Sequence, residues 1–497
     1  MNFVQNFPFF SIIMCLASGV VCSILSGKNA KRLCVTLVSI LIIMNACVLG
    51  FVLKTGESYT FMMGHFPAPW GNELRVGVLE ALMALFFCVI MLLSLVGGIK
   101  FVFEDIEDSK TNLYFVMTNL MMSSLLALIY TNDLFNAYVF VEINTIAACA
   151  LIMIRNNGHS LVATAKYMIM SLIGSGLLLI GISMIYDLTG HLLMSNVKQQ
   201  IAVINVTGIY MMPLTVVIGL ICVGLAIKSA LFPFHAWLPD AYGYSTASSA
   251  AILSSLVSKA YIFLLIKIFY RVFGRNVMVD HKITNVLFVF AIIGMLMGSI
   301  KAIKSHDIRR LIAYSSIAQI GYIYMGIGIG TKAGMIAAIF HIMSHAATKA
   351  MLFIAARGLS EVSGGSKDFS DLKGSGYRNK IAGVAFAVGA LSMVGIPLLA
   401  GFTSKVYFAE AALMASSNKM LIAMVTLAIS TTLNAVYFIR ATISIYTPRN
   451  EHFTIPGYKC ANTMKYALVL FIILNFFLGI FSNPIANAIE MGLGMFA

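Results

Sequence analysis

Residues 211–245 read MMPLTVVIGLICVGLAIKSALFPFHAWLPDAYGYS. The first part is a run of about 20 apolar residues, the length an α-helix needs to cross the hydrocarbon core of a bilayer. One side chain in it does not belong in oil, that of Lys228. An ionisable group at bilayer depth costs about 2.5 to 3.5 kcal/mol on insertion scales, so its first reading is functional. Five residues later Pro233 removes a backbone donor and frees a carbonyl, and Pro239 follows. Lipid tolerates such an interruption only where protein or a wet cavity satisfies the exposed groups. The stretch predicts a membrane helix that carries a charge and breaks beside it.

The rest of the chain has the same character. Hydrophobic residues make up 60% of the 497 and charged residues 10%, a balance no water-exposed globule of this size could carry without a very large apolar surface. The expected class is an all-α polytopic membrane protein. Candidate spans fall near 7–26, 34–53, 78–98, 112–130, 134–154, 161–186, 211–232, 247–270, 284–303, 308–329, 333–356, 381–414, 420–445 and 465–490, about 14 in all. The first run, Pro8 to Leu25, has no charged segment ahead of it and Lys28, Lys31 and Arg32 behind it, so it reads as a spanning helix and not as a signal peptide. The longest connector, Arg357 to Lys380, is rich in Gly, Ser and Lys and reads as an exposed loop. No segment is long or polar enough for a separate soluble domain.

The net charge of +14 is scattered through short connectors and forms no stripe or tail, which argues against nucleic acid. Membrane topology accounts for it better. With the N-terminus outside, alternate connectors place about 19 Lys and Arg on the cytoplasmic side, about 8 on the other and about 6 within spans. Lys28 to Arg32, the Lys301 to Arg310 turn, the Arg357 to Lys380 loop and the Arg440 to Lys465 connector are then cytoplasmic, and both termini lie outside. The expected location is the inner membrane of a prokaryote. The eight cysteines form no CxxC pair and mostly sit inside apolar runs, as buried small hydrophobes do. No cofactor is expected in this chain, neither iron-sulfur centre, haem nor nucleotide, so any coupled redox chemistry belongs to another subunit.

A second interruption matches the first. In GIPLLAGFTSK (395–405), Pro397 and the flanking Gly395 and Gly401 precede Lys405. Broken helices at corresponding places in two halves are a sequence pointer to an ion path built on repeats. The expected divisions are 1–110 (three helices), 111–277 and 278–446 (five helices each), and 447–497 (a loop and the last helix).

Other ionisable groups sit as deep. Glu142, in DLFNAYVFVEINTIAACALI, lies near the middle of the fifth span. A lone carboxylate at that depth takes up a proton, and it stays charged only beside a cation. Lys228 is the candidate partner, as half of a functional pair or of a structural salt bridge. Lys259, in SSLVSKAYIFLLI, sits mid-span among small residues that leave room for water; a stem that snorkels to the headgroups is the competing reading. Lys405 has Glu410 within about one and a half helical turns, and its competing reading is a helix-end lysine. His341 and His345, in IFHIMSHAATKAMLF, are spaced i, i+4 on one helical face, with Lys349 one turn further. The pair could bind a metal, although the HExxH pattern is absent; act as a proton relay, since imidazoles titrate near neutrality; or be a satisfied buried pair. Lys166 and Lys267 are nearer the ends of their spans and read as snorkelling. Glu80 could face the headgroups, and His235, just after Pro233, could line an entry path.

At GLAIKSALFPFHAWLPDAY, IKSHDIRRLIAYSSIAQIGYI, FHIMSHAATKAMLF and GIPLLAGFTSKVY the chain strongly resembles the antiporter-like subunits shared by respiratory complex I (N- and M-type), Mrp-type sodium/proton antiporters (D-type) and membrane-bound energy-converting hydrogenases. The resemblance runs from about residue 75 to 445. It implies two inverted five-helix repeats with interrupted seventh and twelfth helices, and a proton path through Glu142, Lys228, Lys259, His341, His345 and Lys405; from their own positions, His235, Lys349, Glu410 and Glu80 are candidate accessory groups. A lysine at the last position resembles the Mrp D-type and complex I N-type subunits, since the M-type carries glutamate there. The chain as given ends just after its last span, so the L-type, with its long lateral helix, is not expected. The family's LRVD-like segment reads LRVGVLEAL here, with Gly77 in place of the acidic residue and Glu80 one turn on.

The function expected from this is a proton-translocating subunit of a multi-subunit complex, whether redox-driven or a cation/proton antiporter. The expected partners are other membrane subunits, the lipid bilayer, protons and, as an open alternative, sodium. No catalytic or metal-binding residue is expected in the chain. The rival readings are a scaffold whose charges are static interhelical glue, and a self-contained secondary transporter.

Overall fold

The computed structural model describes residues 3–67, 71–274, 277–278, 282–448 and 460–496. In chain order, the longer helices among the described residues are α1 (Phe7–Ile24), α2 (Gly27–Thr55), α3 (Val78–Asp105), α4 (Thr111–Tyr130), α5 (Leu134–Met153), α6 (Gly158–Thr189), α7 (Met194–Thr207), α8 (Met211–Ser229), α9 (Leu238–Tyr244), α10 (Ala247–Phe273), α11 (Ile283–Ile303), α12 (Ile308–Ile329), α13 (Lys332–Glu361), α14 (Lys380–Val394), α15 (Ala400–Leu413), α16 (Ser417–Tyr446), α17 (Asn462–Ile480) and α18 (Ser482–Gly494). Among the described residues, 13 helices are long and apolar enough to cross a bilayer. The protein is an all-α polytopic membrane protein, with one short antiparallel pair, Tyr59–Met62 against Glu73–Val76.

The difference from about 14 spans lies at 381–414, where α14 (15 residues) and α15 (14 residues) replace one long helix. The seventh span ends early, at Ser229. Both ends are closed in the same way. The N–H of Leu231 reaches the carbonyl of Ala226 at 3.0 Å, and the N–H of Ile396 reaches that of Leu391 at 3.1 Å, each the six-to-one bond of a Schellman terminus. Gly395 takes its left-handed turn freely at φ 96°, but Ala230 does so at φ 62° with a side chain in place, a strain of about 1 to 2 kcal/mol. The last expected span, 465–490, also divides, at Phe481 between α17 and α18. The amphipathic α7 and the small β pair carry too few apolar residues to register as spans.

Burial grades from the periphery inward. The apolar windows of α1, α2, α16 and α17 are mostly open to the surroundings, whereas that of α10 is wholly buried and those of α12 and α13 nearly so. A helix that is apolar all round with no open face belongs at the centre of a bundle, and α10 holds Lys259. Within α10 the backbone widens to a π-helix over Leu253–Val257, a feature frequent at functional sites.

Close helix contacts come from small residues, as is usual in lipid. A methyl group on Gly174 of α6 would lie 2.9 Å from the carbonyl of Gly224 on α8, so these backbones touch. That contact brings Ser175, beside Gly174, and Lys228, one turn beyond Gly224, to the same place.

The basic connectors gather at one end of the bundle. Lys31 lies over the Phe103 ring at 5.7 Å, Arg357 meets Asp105 at 3.2 Å, and Arg440 donates to the carbonyls of Ile303 and Ser305 at 2.7 and 3.2 Å. Of the connector expected between Arg440 and Lys465, residues 449–459 lie outside the described residues. The Arg357 to Lys380 segment differs from the exposed loop expected: α13 continues to Glu361, and the chain beyond it is docked by backbone bonds from Ile308 to Lys367 (3.0 Å) and from Phe369 to His306 (3.1 Å).

Candidate functional site

The structure brings Glu142 and Lys228 together. Lys228 Nζ lies 3.4 Å from Glu142 Oε1 and donates to the Thr145 hydroxyl at 2.6 Å, one turn along α5. Ser175 on α6 also donates to Glu142. The environments of the two charges differ: the Lys228 side chain has no exposure, while that of Glu142 is 26% exposed on the flank of the chain. Lys228 also lies 5.9 Å from the centre of the Tyr261 ring, and Tyr261 is two residues beyond Lys259 on α10.

Lys259 is fully buried and does not snorkel. Its ammonium donates to the Ser254 carbonyl, which the π-helical turn presents, and to Ser258 Oγ at 3.3 Å. Among the described residues it has no carboxylate partner.

His341 and His345 stack at 5.8 Å with their planes 3° apart, one turn of α13 from each other. His341 Nδ1 shares a hydrogen bond of 2.9 Å with Ser404 Oγ. His341 Nε2 and both ring nitrogens of His345 meet no protein partner among the described residues. Lys259 and Lys349 lie within electrostatic reach of both imidazoles, and Lys405 within reach of His341. No third His, Cys, Asp or Glu completes a metal-binding group there among the described residues. Lys349 donates to the Ile312 carbonyl at 2.9 Å and to Ser315.

Lys405 sits against the end of α14. Its ammonium donates to the carbonyls of Met393 and Val394 at 3.1 and 2.6 Å, acceptors that the terminus leaves open. A methyl group on Gly401 would lie 1.7 Å from the Ser392 carbonyl, so only glycine lets α15 start this close to α14. Tyr322 joins the last two groups, stacked on His341 at 5.6 Å and facing Lys405 at 5.9 Å. Glu410 is exposed and makes no ion pair with Lys405 among the described residues.

Two side chains sit elsewhere than expected. Glu80 does not face the headgroups: it is fully buried, is ion-paired to Arg271 and accepts the N–H of Gly77 at 3.1 Å at the start of α3. Lys267 does not snorkel, since it is buried and donates to the carbonyls of Leu128, Ile129 and Thr131 at 3.0, 2.7 and 2.7 Å, capping the end of α4. Helix ends without further residues to pair their carbonyls attract such cations. His235 is buried and takes a hydrogen bond of 2.8 Å from Lys301. Lys166 is exposed, as snorkelling requires, and reaches Asp240 at 2.6 Å. Arg271 went unnoticed in the sequence, and Lys301 was read only as part of a cytoplasmic turn, because each lies at the end of an apolar run, where basic residues are common.

Ionisable side chains inside a helical membrane bundle are rare. The family model described as NADH:quinone oxidoreductase/Mrp antiporter, TM, matches residues 131–431, and the chain belongs to that family. It is 33% identical to the N-type subunit of the NADH-quinone oxidoreductase of Desulforudis audaxviator over 401 residues, which cover 81% of this chain and 78% of the relative. It is 29% identical to the D-type subunit of the Na(+)/H(+) antiporter of Alkalihalophilus pseudofirmus over 370 residues, 74% of this chain and 72% of that one. Its fold matches a chain of the membrane-bound sulfane sulfur reductase, an archaeal respiratory membrane complex, with TM-score 0.89 and 26% identity over 100% of this chain and 98% of the other.

Proposed function

We propose that this chain is a proton-translocating subunit of a multi-subunit membrane complex, and that protons move along Glu142, Lys228, Lys259, His341, His345 and Lys405. The observation that carries the reading is His345. A histidine serving only as interhelical glue is hydrogen-bonded when buried, whereas both nitrogens of this ring lack protein partners among the described residues and lie within reach of two lysines.

The mechanism is a switched relay. While Glu142 is close, the Lys228 ammonium is stabilised by the carboxylate and by Thr145. When Glu142 draws away, an ammonium in a dry site is costly and gives up its proton toward Lys259. Water and the imidazoles carry it on to Lys405. The partly open position of Glu142 supports an input from a neighbouring subunit packed on that flank, because a carboxylate is poorly placed facing lipid. The ends at Ser229 and Gly395 are read as interruptions of the seventh and twelfth membrane helices, in two inverted repeats over 111–277 and 278–446. We place the basic end of the bundle in the cytoplasm of a prokaryote, both termini outside, and the driving chemistry in another subunit, with no redox centre here.

Glu142→Gln tests this in the whole complex. The amide keeps the shape and the acceptor for Ser175 but loses the charge that holds Lys228, so ion transport is expected to fall at least about tenfold, a loss of about 1.4 kcal/mol or more of transition-state stabilisation, with normal subunit content. Transport at the parent rate favours the scaffold reading.

A further inference from the structure

At the basic end of the bundle a cavity of about 230 Å³ opens between elements distant in sequence. Its wall includes Arg155, His159, Arg309, Arg357, Lys367 and Ser360, and no carboxylate among the described residues. None of these residues belongs to the axis from Glu142 to Lys405. Arg155 lies between α5 and α6, and His159 is in the first turn of α6; Arg309 opens α12; Arg357 and Ser360 are in the last turns of α13, and Lys367 is in the segment that follows.

Protein acceptors use only part of this donor set. Arg155 and Arg357 share a single carboxylate, Asp105, at 3.5 and 3.2 Å, and Arg155 also donates to the Tyr244 carbonyl at 3.3 Å. Arg309 gives one terminal nitrogen to the carbonyls of Tyr242 and Ser245 at 2.8 and 2.7 Å, and Lys367 donates to the Gly243 carbonyl at 3.0 Å. Asp307 is occupied capping α12, where it accepts the N–H of Arg309 and of Arg310 at 2.7 and 3.0 Å. The Nε atoms of Arg309 and Arg357 and the hydroxyl of Ser360 meet no partner among the described residues, although Arg309 and Ser360 are each only 2% exposed. Burial and the nearby Arg309 push the Lys367 ammonium down to about 8. Like charges gathered around one cavity repel, and a buried donor left unpaired costs about 1 to 3 kcal/mol. An anion in the cavity would answer both.

We infer that this cavity binds a phosphate group, gripped by the guanidinium groups of Arg155 and Arg357, the ammonium of Lys367 and the hydroxyl of Ser360. Planar guanidinium forks match the several oxygens of a phosphate better than a single-atom anion. The start of α6, at Asn157 and His159, adds the positive end of a long helix. The phosphate comes either from the headgroup of an anionic lipid or from free phosphate, and it ties the ends of α5 and α6 to those of α12 and α13.

The test uses the full chain purified in neutral detergent and stripped of lipid. Its melting temperature is followed with inorganic phosphate, with phosphatidylglycerol, and with sodium chloride at matched ionic strength. Phosphate or phosphatidylglycerol is expected to raise the Tm, and chloride is not. A rise with inorganic phosphate assigns a free anion; a rise with phosphatidylglycerol alone assigns a lipid headgroup. Lys367→Gln and Arg357→Gln are each expected to weaken the effect about tenfold or more, as loss of one charged hydrogen bond does. Should Arg357→Gln fail to fold, Lys367→Gln, in the segment beyond α13, carries the test. No rise with either phosphate source, as expected if an acidic protein segment fills the cavity instead, or an undiminished rise in Lys367→Gln, overturns the inference.

Discussion

Exchanging Lys228 for arginine is expected to stop ion translocation and leave the complex assembled. Arginine keeps a full positive charge, and its donors can still meet Glu142 and Thr145, which Lys228 contacts at 3.4 and 2.6 Å. A static salt bridge therefore survives the exchange. A relay does not, because a guanidinium does not release its proton under physiological conditions. Transport by Lys228→Arg, measured in vesicles holding the whole complex, should fall below about a tenth of the parent rate, a barrier increase of about 1.4 kcal/mol or more. Lys228→Gln should be equally inactive. If arginine sustains normal transport at normal subunit content, the ammonium is glue and the scaffold reading is correct.

The second large effect concerns stability. Arg271→Ala removes the partner of Glu80, a carboxylate with no exposure at the start of α3. It also removes the guanidinium that lies 4.3 Å from the centre of the Phe496 ring. Breaking a buried pair from one side leaves an uncompensated charge, at a cost of about 3 to 5 kcal/mol. Lys267 cannot easily move to replace it, because its ammonium is held by three carbonyls at the end of α4. Denaturant unfolding in detergent should show that loss, and the double variant Glu80→Leu with Arg271→Met should recover most of it, since an apolar pair of similar volume is often as stable as a buried ion pair. A loss below about 1 kcal/mol would mean that Glu80 is neutral in the folded chain and the pair is not ionic.

What the sequence carried was the pattern along one chain segment at a time. The spans were legible because each needs about 20 apolar residues. The depth of Glu142 and Lys228 in their spans made each unlikely to stay charged without the other, and the structure places them 3.4 Å apart. The spacing of His341 and His345 put them on one face, and their rings stack. Contacts made across the fold were less legible. Glu80 and Arg271 are 191 residues apart and each sits where a headgroup-facing charge is ordinary. Lys267 looked like a snorkelling side chain because nothing in its own helix reveals that the end of α4 packs beside it. Pro397 was visible, but the arrangement around it, two short helices with Lys405 capping the first, depends on the contact of Gly401 with Ser392. Likewise, the docked segment after α13 reads as a loop until its backbone partners at His306 and Ile308 are known.

Lys259 gives the most direct test of a continuous path. It is fully buried, lies two residues along α10 from Tyr261, which Lys228 faces, is within electrostatic reach of both histidines, and has no carboxylate partner among the described residues. Replacing it with methionine conserves most of its volume and removes the desolvation cost of an ammonium, so the variant should be at least as stable as the parent. The measurement is proton movement into sealed vesicles by the whole complex with Lys259→Met, at matched protein and matched driving force. A path through this chain predicts unchanged assembly, unchanged or raised Tm, and translocation reduced at least about tenfold. Translocation at the parent rate would contradict it.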